Sequence, residues 1–186
     1  MRKLVLALLL VAGVASTLVV AAIATADEGS RNISARGGLS GYQEAPLTLS
    51  TTGGGTFRAK IANDGQSFAW TLSYQALEGN VLQAHIHFGA RGLANGIAVF
   101  LCTNLGNGPA GTQACPAAPA TISGTARPAD VIGPAGQGIT AGQFNEVLDA
   151  MRAGVTYANV HTSLYPGGEI RGQLSGGNDG NDDDDD

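Results

Sequence analysis

The sequence predicts an all-β fold: an antiparallel sandwich with Greek-key-like connections, about seven to nine strands and one short helix. Three observations predict it. Charged residues make up only 13% of the chain while Gly numbers 28, a balance that suits many short strands and turns rather than a helical bundle. Apolar and polar residues alternate with period two in several segments, most regularly over Phe68–Gln75. A single stretch, Thr140 to Gly154, carries helical spacing instead.

The two ends stand apart from that domain. Arg2 and Lys3 precede an apolar run from Leu4 to Ala24, and Ala24-Thr25-Ala26 offers small residues where a signal peptidase reads. Residues 1–26 therefore read as a secretory signal peptide. The apolar run is also long enough to span a bilayer, so an uncleaved anchor is the alternative and the sole route to a membrane. Both place the domain outside the cytoplasm, secreted or at the cell surface. Residues 27–36 are small and polar and read as a linker. Residues 175–186 turn to Gly, Asn and Asp and read as a disordered acidic tail. What remains, 37–174, is roughly 140 residues, one domain with length enough for a core. The net charge is −5 and no basic patch is present, which excludes a nucleic-acid partner.

The elements follow in order. LSGYQEAP opens the domain as a short strand ending at Pro46. Gly53-Gly54-Gly55 leads into TFRAKIA, with Phe57, Ala59 and Ile61 on one face. Asn63-Asp64-Gly65 marks a tight turn. The return strand puts Phe68, Trp70, Leu72 and Tyr74 on one face, and Trp70 is the expected core anchor. VLQAHIHFG places Gln83, His85 and His87 on one face and Ala84, Ile86 and Phe88 on the other. GIAVFLC is a continuous apolar strand. Ala120 to Ala126 forms another. In the helix, expected at about 141–153, Thr140 and Gln143 have capping-box spacing, and Phe144, Val147, Leu148 and Met151 form one apolar stripe. Gly154 sits where a left-handed stop belongs. The last two strands, joined by Pro166-Gly167-Gly168, carry Tyr157, Asn159 and His161 on one face of the first.

Cys102 and Cys115 are the only cysteines, and the Gly, Asn and Pro between them mark a loop. A disulfide that staples this loop is the expected state, worth roughly 3 kcal/mol from constraint of the unfolded chain. A metal-binding thiol pair is the competing reading, and the spacing fits no zinc motif.

The three histidines are the candidate site. His85 and His87 lie two apart on one strand, about 7 Å apart at Cα and facing the same way. His161 lies in the other distinctive block. Should the two blocks pair, three imidazoles converge, with Glu169 or Tyr157 as a fourth ligand or support, on copper or zinc. That requires the rings to lie within about 7 Å of one another. The alternative is a hydrogen-bond network without metal, with His161 held by Glu169 and Arg171 balancing the carboxylate. Glu44 reads as a salt-bridge or turn residue. No paired carboxylates, nucleophile elbow or phosphate loop appears, so the sequence offers no catalytic residues.

LSGYQEAP, AHIHFGARGLANG and YANVHTSLYPGGEIRGQL, in that order and spacing, resemble the CHRD domain family, called after chordin. The resemblance runs from about Gly37 to Leu174, with Leu47 standing where the family usually has a second Pro. It implies a secreted or surface β-sandwich module, superoxide-dismutase-like in general architecture. It implies no settled activity; binding of an extracellular macromolecule or surface, or a structural role, is the expectation. HIHFG also resembles the His-x-His copper strand of copper–zinc superoxide dismutase. That enzyme's two sites use more histidines than the three present here, which argues against dismutase activity.

Overall fold

The computed structural model describes residues 32–35 and 38–176. The signal segment, part of the expected linker and residues 177–186 of the expected tail lie outside the described residues; Ser175 and Gly176, also expected in the tail, are instead strand, paired with Ser34 and Ile33. The described residues form nine strands and one α-helix: β1 Asn32–Ala35, β2 Leu39–Ser40, β3 Gly54–Ile61, β4 Phe68–Gln75, β5 Val81–Phe88, β6 Ile97–Thr103, β7 Ala120–Ala126, α1 Phe144–Arg152, β8 Thr156–Thr162 and β9 Ile170–Gly176. The strands hydrogen-bond along the path β6-β5-β8-β9-β1-β3-β4-β7, with β2 bridging β3 and β9. Every pairing is antiparallel.

The path folds over into a sandwich, with β6 and β7 at its two open ends. One layer is β6-β5-β8-β9 and the other β3-β4-β7, with β1 and β2 where the two meet. Alternation places one side chain in two on a shared core. Phe57, Leu72 and Ile122 come from one layer, and Ile86, Val99, Val160 and Ile170 from the other, all in one buried cluster. On β4 the alternation is nearly complete: Phe68, Trp70, Leu72 and Tyr74 are buried and Ala69, Thr71 and Gln75 exposed. Trp70 lies in the core opposite Gly124 of β7, where an added Cβ would come within 2.6 Å of the indole. Gly124 is thus small to admit the ring.

The helix closes one end of the core. Phe144, Val147, Leu148 and Met151 are buried, and Phe144 stacks on Phe68 with centroids 5.6 Å apart. It begins at Phe144, later than the expected 141. Gln143 Oε1 accepts the Thr140 backbone N–H at 2.6 Å, as half of a capping box, but residues 141–142 form a turn, with Gly142 at φ +86°. Gly154 ends the helix at φ +70°, the left-handed stop. Cys102 and Cys115 form the expected disulfide.

Two further expectations are corrected. Residues 32–35 fall in the expected linker, yet they form β1, which fills the gap between β3 and β9. The Asn-Ile-Ser-Ala composition hides this: Ile33 reaches the core while Asn32 and Ser34 do not. LSGYQEAP gives just the two-residue strand β2 before a 3-10 turn at Gly41–Gln43.

Candidate metal centre

Strand β8 is buried along its whole length, on both faces. Its inner face, Ala158 and Val160, joins the core. Its outer face carries Tyr157, Asn159 and His161, each 7% exposed or less. Register aligns these with both neighbours: Gln83 opposite His161, His85 opposite Asn159 and His87 opposite Tyr157 on β5, then Arg171 opposite Asn159 and Gln173 opposite Tyr157 on β9. A sheet face of this polarity normally meets water. Here the loops at residues 41–44, 89–95 and 166–168 hydrogen-bond to it and roof it.

The three histidines converge on this face. Their ring centroids lie 5.0, 5.3 and 5.9 Å apart, inside the limit a shared ion sets. One candidate ligand atom from each lies within 4.8 Å of the others. The β5–β6 register shifts just before His85 and again just before His87, irregularities of the kind that re-aim side chains beside functional sites.

Backbone carbonyls fix two of the rings. His161 Nδ1 donates to Pro166 O at 3.0 Å and His87 Nδ1 donates to Asn95 O at 2.8 Å. In a neutral imidazole this leaves the lone pair on Nε2. His85 Nδ1 then donates to His161 Nε2 at 3.2 Å. His85 Nε2 and His87 Nε2 are buried acceptors without a hydrogen-bond partner. Each such atom costs about 1–3 kcal/mol.

Burial holds all three rings neutral. It pushes the His85 pKa down to about 2, with the neighbouring histidines adding to the effect. It pushes His87 down to about 4, against the pull of the Asn95 carbonyl, and lowers His161 as well. Each ring therefore keeps one unprotonated nitrogen at neutral pH.

The donor set fits a transition-metal ion. Ligating histidines ordinarily donate their second ring nitrogen to a carbonyl or carboxylate, as His87 and His161 do here. Two donors at 2.0–2.1 Å from one tetrahedral ion stand about 3.4 Å apart, against the 4.8 Å within which one ligand atom from each ring lies. Closing the widest gap takes a shift of about 1.4 Å shared among the rings.

The surrounding side chains support the rings. Tyr157 stacks on His87 with centroids 4.7 Å apart and planes 3° from parallel. Its hydroxyl accepts from Asn95 N at 3.0 Å, so it supports the ring and the roof. The Arg171 guanidinium lies 3.5 Å from the Tyr157 ring centre and donates to Leu93 O and Ala90 O. Glu44 accepts from Asn159 Nδ2 at 2.6 Å. Burial raises its pKa to about 7, offset in part by that bond and by the charge of Arg171. Gly168 leaves room for this pair: a Cβ there would come within 2.8 Å of both side chains.

Glu169 does not join the cluster. Its carboxylate is fully buried elsewhere and accepts from Thr51 Oγ1, Thr162 Oγ1 and the backbone N–H groups of Glu78 and Gly79. Thr162 lies on the opposite side of β8 from His161, so Glu169 holds no histidine. Nor does Arg171 balance Glu169. The orienting carbonyls of Asn95 and Pro166 escape sequence reasoning because they belong to the backbone. Asn159 is on the predicted face, and that position is the signal for its role.

The CHRD domain family model matches residues 36–174, and the chain belongs to this family. No curated protein and no solved structure matches it.

Proposed function

We propose that this CHRD domain is an extracytoplasmic metal-binding module that holds one ion, copper or zinc, on His85, His87 and His161. The observation that carries the reading is the pair of buried Nε2 acceptors on His85 and His87 that have no donor, in a cluster where carbonyls orient the rings of His87 and His161. A hydrogen-bond network without metal accounts for the His85–His161 bond but leaves those two acceptors bare. Burial of all three rings fits an ion that is retained rather than one that turns over substrate. The disulfide fits an oxidising compartment.

Elemental analysis of the purified full chain, followed by titration of the metal-stripped protein at neutral pH, tests the reading. One equivalent of copper or zinc is expected, and none once His87 and His161 are both replaced by Leu. A wild-type chain that neither retains nor takes up metal is instead a binding or structural module whose histidines serve packing.

A further inference from the structure

The ligand set carries no negative charge. Among the described residues the cluster comprises three imidazoles, without a carboxylate or thiolate beside them, and both cysteines are in the disulfide. The two buried carboxylates of the region lie outside the ligand set: Glu44 is held by Asn159 and faces Arg171, and Glu169 is held by four donors on the other side of β8. The nearest fixed charge is positive. Arg171 reaches over Tyr157 from the β9 side, and Tyr157 stacks on His87 from the β8 side. A buried ion here keeps its full formal charge, in surroundings that already hold a guanidinium. Desolvation cost rises steeply with charge, so a divalent ion fares far worse than a monovalent one.

Coordination number points the same way. Zn(II) takes four ligands, and where the protein supplies three, water supplies the fourth. Rings 0–7% exposed beneath a hydrogen-bonded roof leave little room for that water. Cu(II) also requires further ligands in a tetragonal plane. Cu(I) is monovalent, soft and content with three nitrogens.

We infer that the three-histidine site selects Cu(I) over Zn(II), with the Arg171–Tyr157 column as its charge discriminator. The inference rests on the metal-binding reading above and deepens it. It is tested by anaerobic competition on the full chain, with Cu(I) buffered by a chromophoric Cu(I) chelator and Zn(II) by a zinc chromophore. Cu(I) is expected to bind one to one and about a thousandfold or more tighter than Zn(II). A hundredfold excess of Zn(II) leaves it in place. Zn(II) binding as tightly as Cu(I), or uptake of Cu(II) as a stable species visible by electron paramagnetic resonance, overturns the selectivity while leaving the metal-binding reading intact. Binding of neither metal removes both. Arg171→Gln, checked for native circular dichroism, is expected to narrow the Cu(I)-to-Zn(II) ratio at least tenfold, and an unchanged ratio in a folded variant removes Arg171 from the account. The wild-type competition decides the selectivity even if this variant does not fold.

Discussion

Two buried polar clusters flank strand β8, and they are built on opposite plans. Around Glu169, on the side of Thr162, each carboxylate oxygen meets donors: Thr51 and Glu78 on one, Thr162 and Gly79 on the other. Those partners come from three separate stretches of chain, so the carboxylate is the buried knot of loops that Thr52–Glu78, Thr52–Ala76 and Asn80–Ser163 bonds also tie at the surface. Around His161, on the other side, two acceptors have no donor and two of the rings are aimed by carbonyls. Burial is as deep in both. A satisfied cluster repays its desolvation within the fold, whereas an unsatisfied one is a standing cost that a ligand removes. Burial alone therefore does not mark a site; what marks it is polarity that the fold has oriented and left open.

The largest test of that contrast falls on the satisfied cluster. Glu169→Ala strands two hydroxyls and two backbone donors, and a loss of about 3–5 kcal/mol in urea unfolding is expected. Metal affinity of whatever protein remains folded should be unchanged. A matching loss of affinity would merge the two clusters into one.

Next in size is the response to acid. The three histidines have folded pKa values below their unfolded ones, so the unfolded chain takes up their protons first as pH falls below about 6.5. Their contribution is intact above that pH and is lost progressively towards pH 4 for His87 and lower for His85. Glu44 has the opposite sign: its pKa is raised, so the folded state gains its proton first between pH 7 and 4.5 and is stabilised there. Three groups oppose one, and the net is a loss of roughly 2 kcal/mol in the metal-free protein between pH 7 and 5.5. Thermal unfolding across that range checks it. A flat or rising stability means that the rings are not held neutral.

The smallest effect falls on the unsatisfied cluster. His87→Leu removes a bare acceptor along with one carbonyl bond, and is expected to change the stability of the metal-free protein by no more than about 1 kcal/mol. It should make the acid response shallower and abolish stoichiometric metal binding. Destabilisation comparable to Glu169→Ala would assign the histidines a structural role.

Much of this was legible in the sequence because period-two alternation assigns faces without knowledge of the fold. His85 and His87 opposite Ala84 and Ile86, and His161 with Tyr157 and Asn159, follow from it directly, and pairing β5 with β8 brings the three rings together. The errors arise where alternation stops. Gly168, at φ +130°, breaks the extended chain just before Glu169, so the side chain does not share the face of Arg171 despite the spacing. Strand β1 was hidden because three of its four residues are small or polar and its pairing depends on β3 and β9, distant in sequence. The roof was invisible for a different reason: its contribution is made by carbonyl oxygens, which every residue type has.

The central claim is that backbone carbonyls hold the Nδ1 protons of His87 and His161 away from the cluster and leave their Nε2 lone pairs for a ligand. Long-range proton–nitrogen correlation on uniformly labelled metal-free protein at neutral pH reads this ring by ring. His87 and His161 are predicted as neutral Nδ1–H tautomers, with Nε2 resonances that shift on addition of one equivalent of Cu(I). Either ring found as the Nε2–H tautomer or as imidazolium, or Nε2 resonances unmoved by metal, would contradict the account.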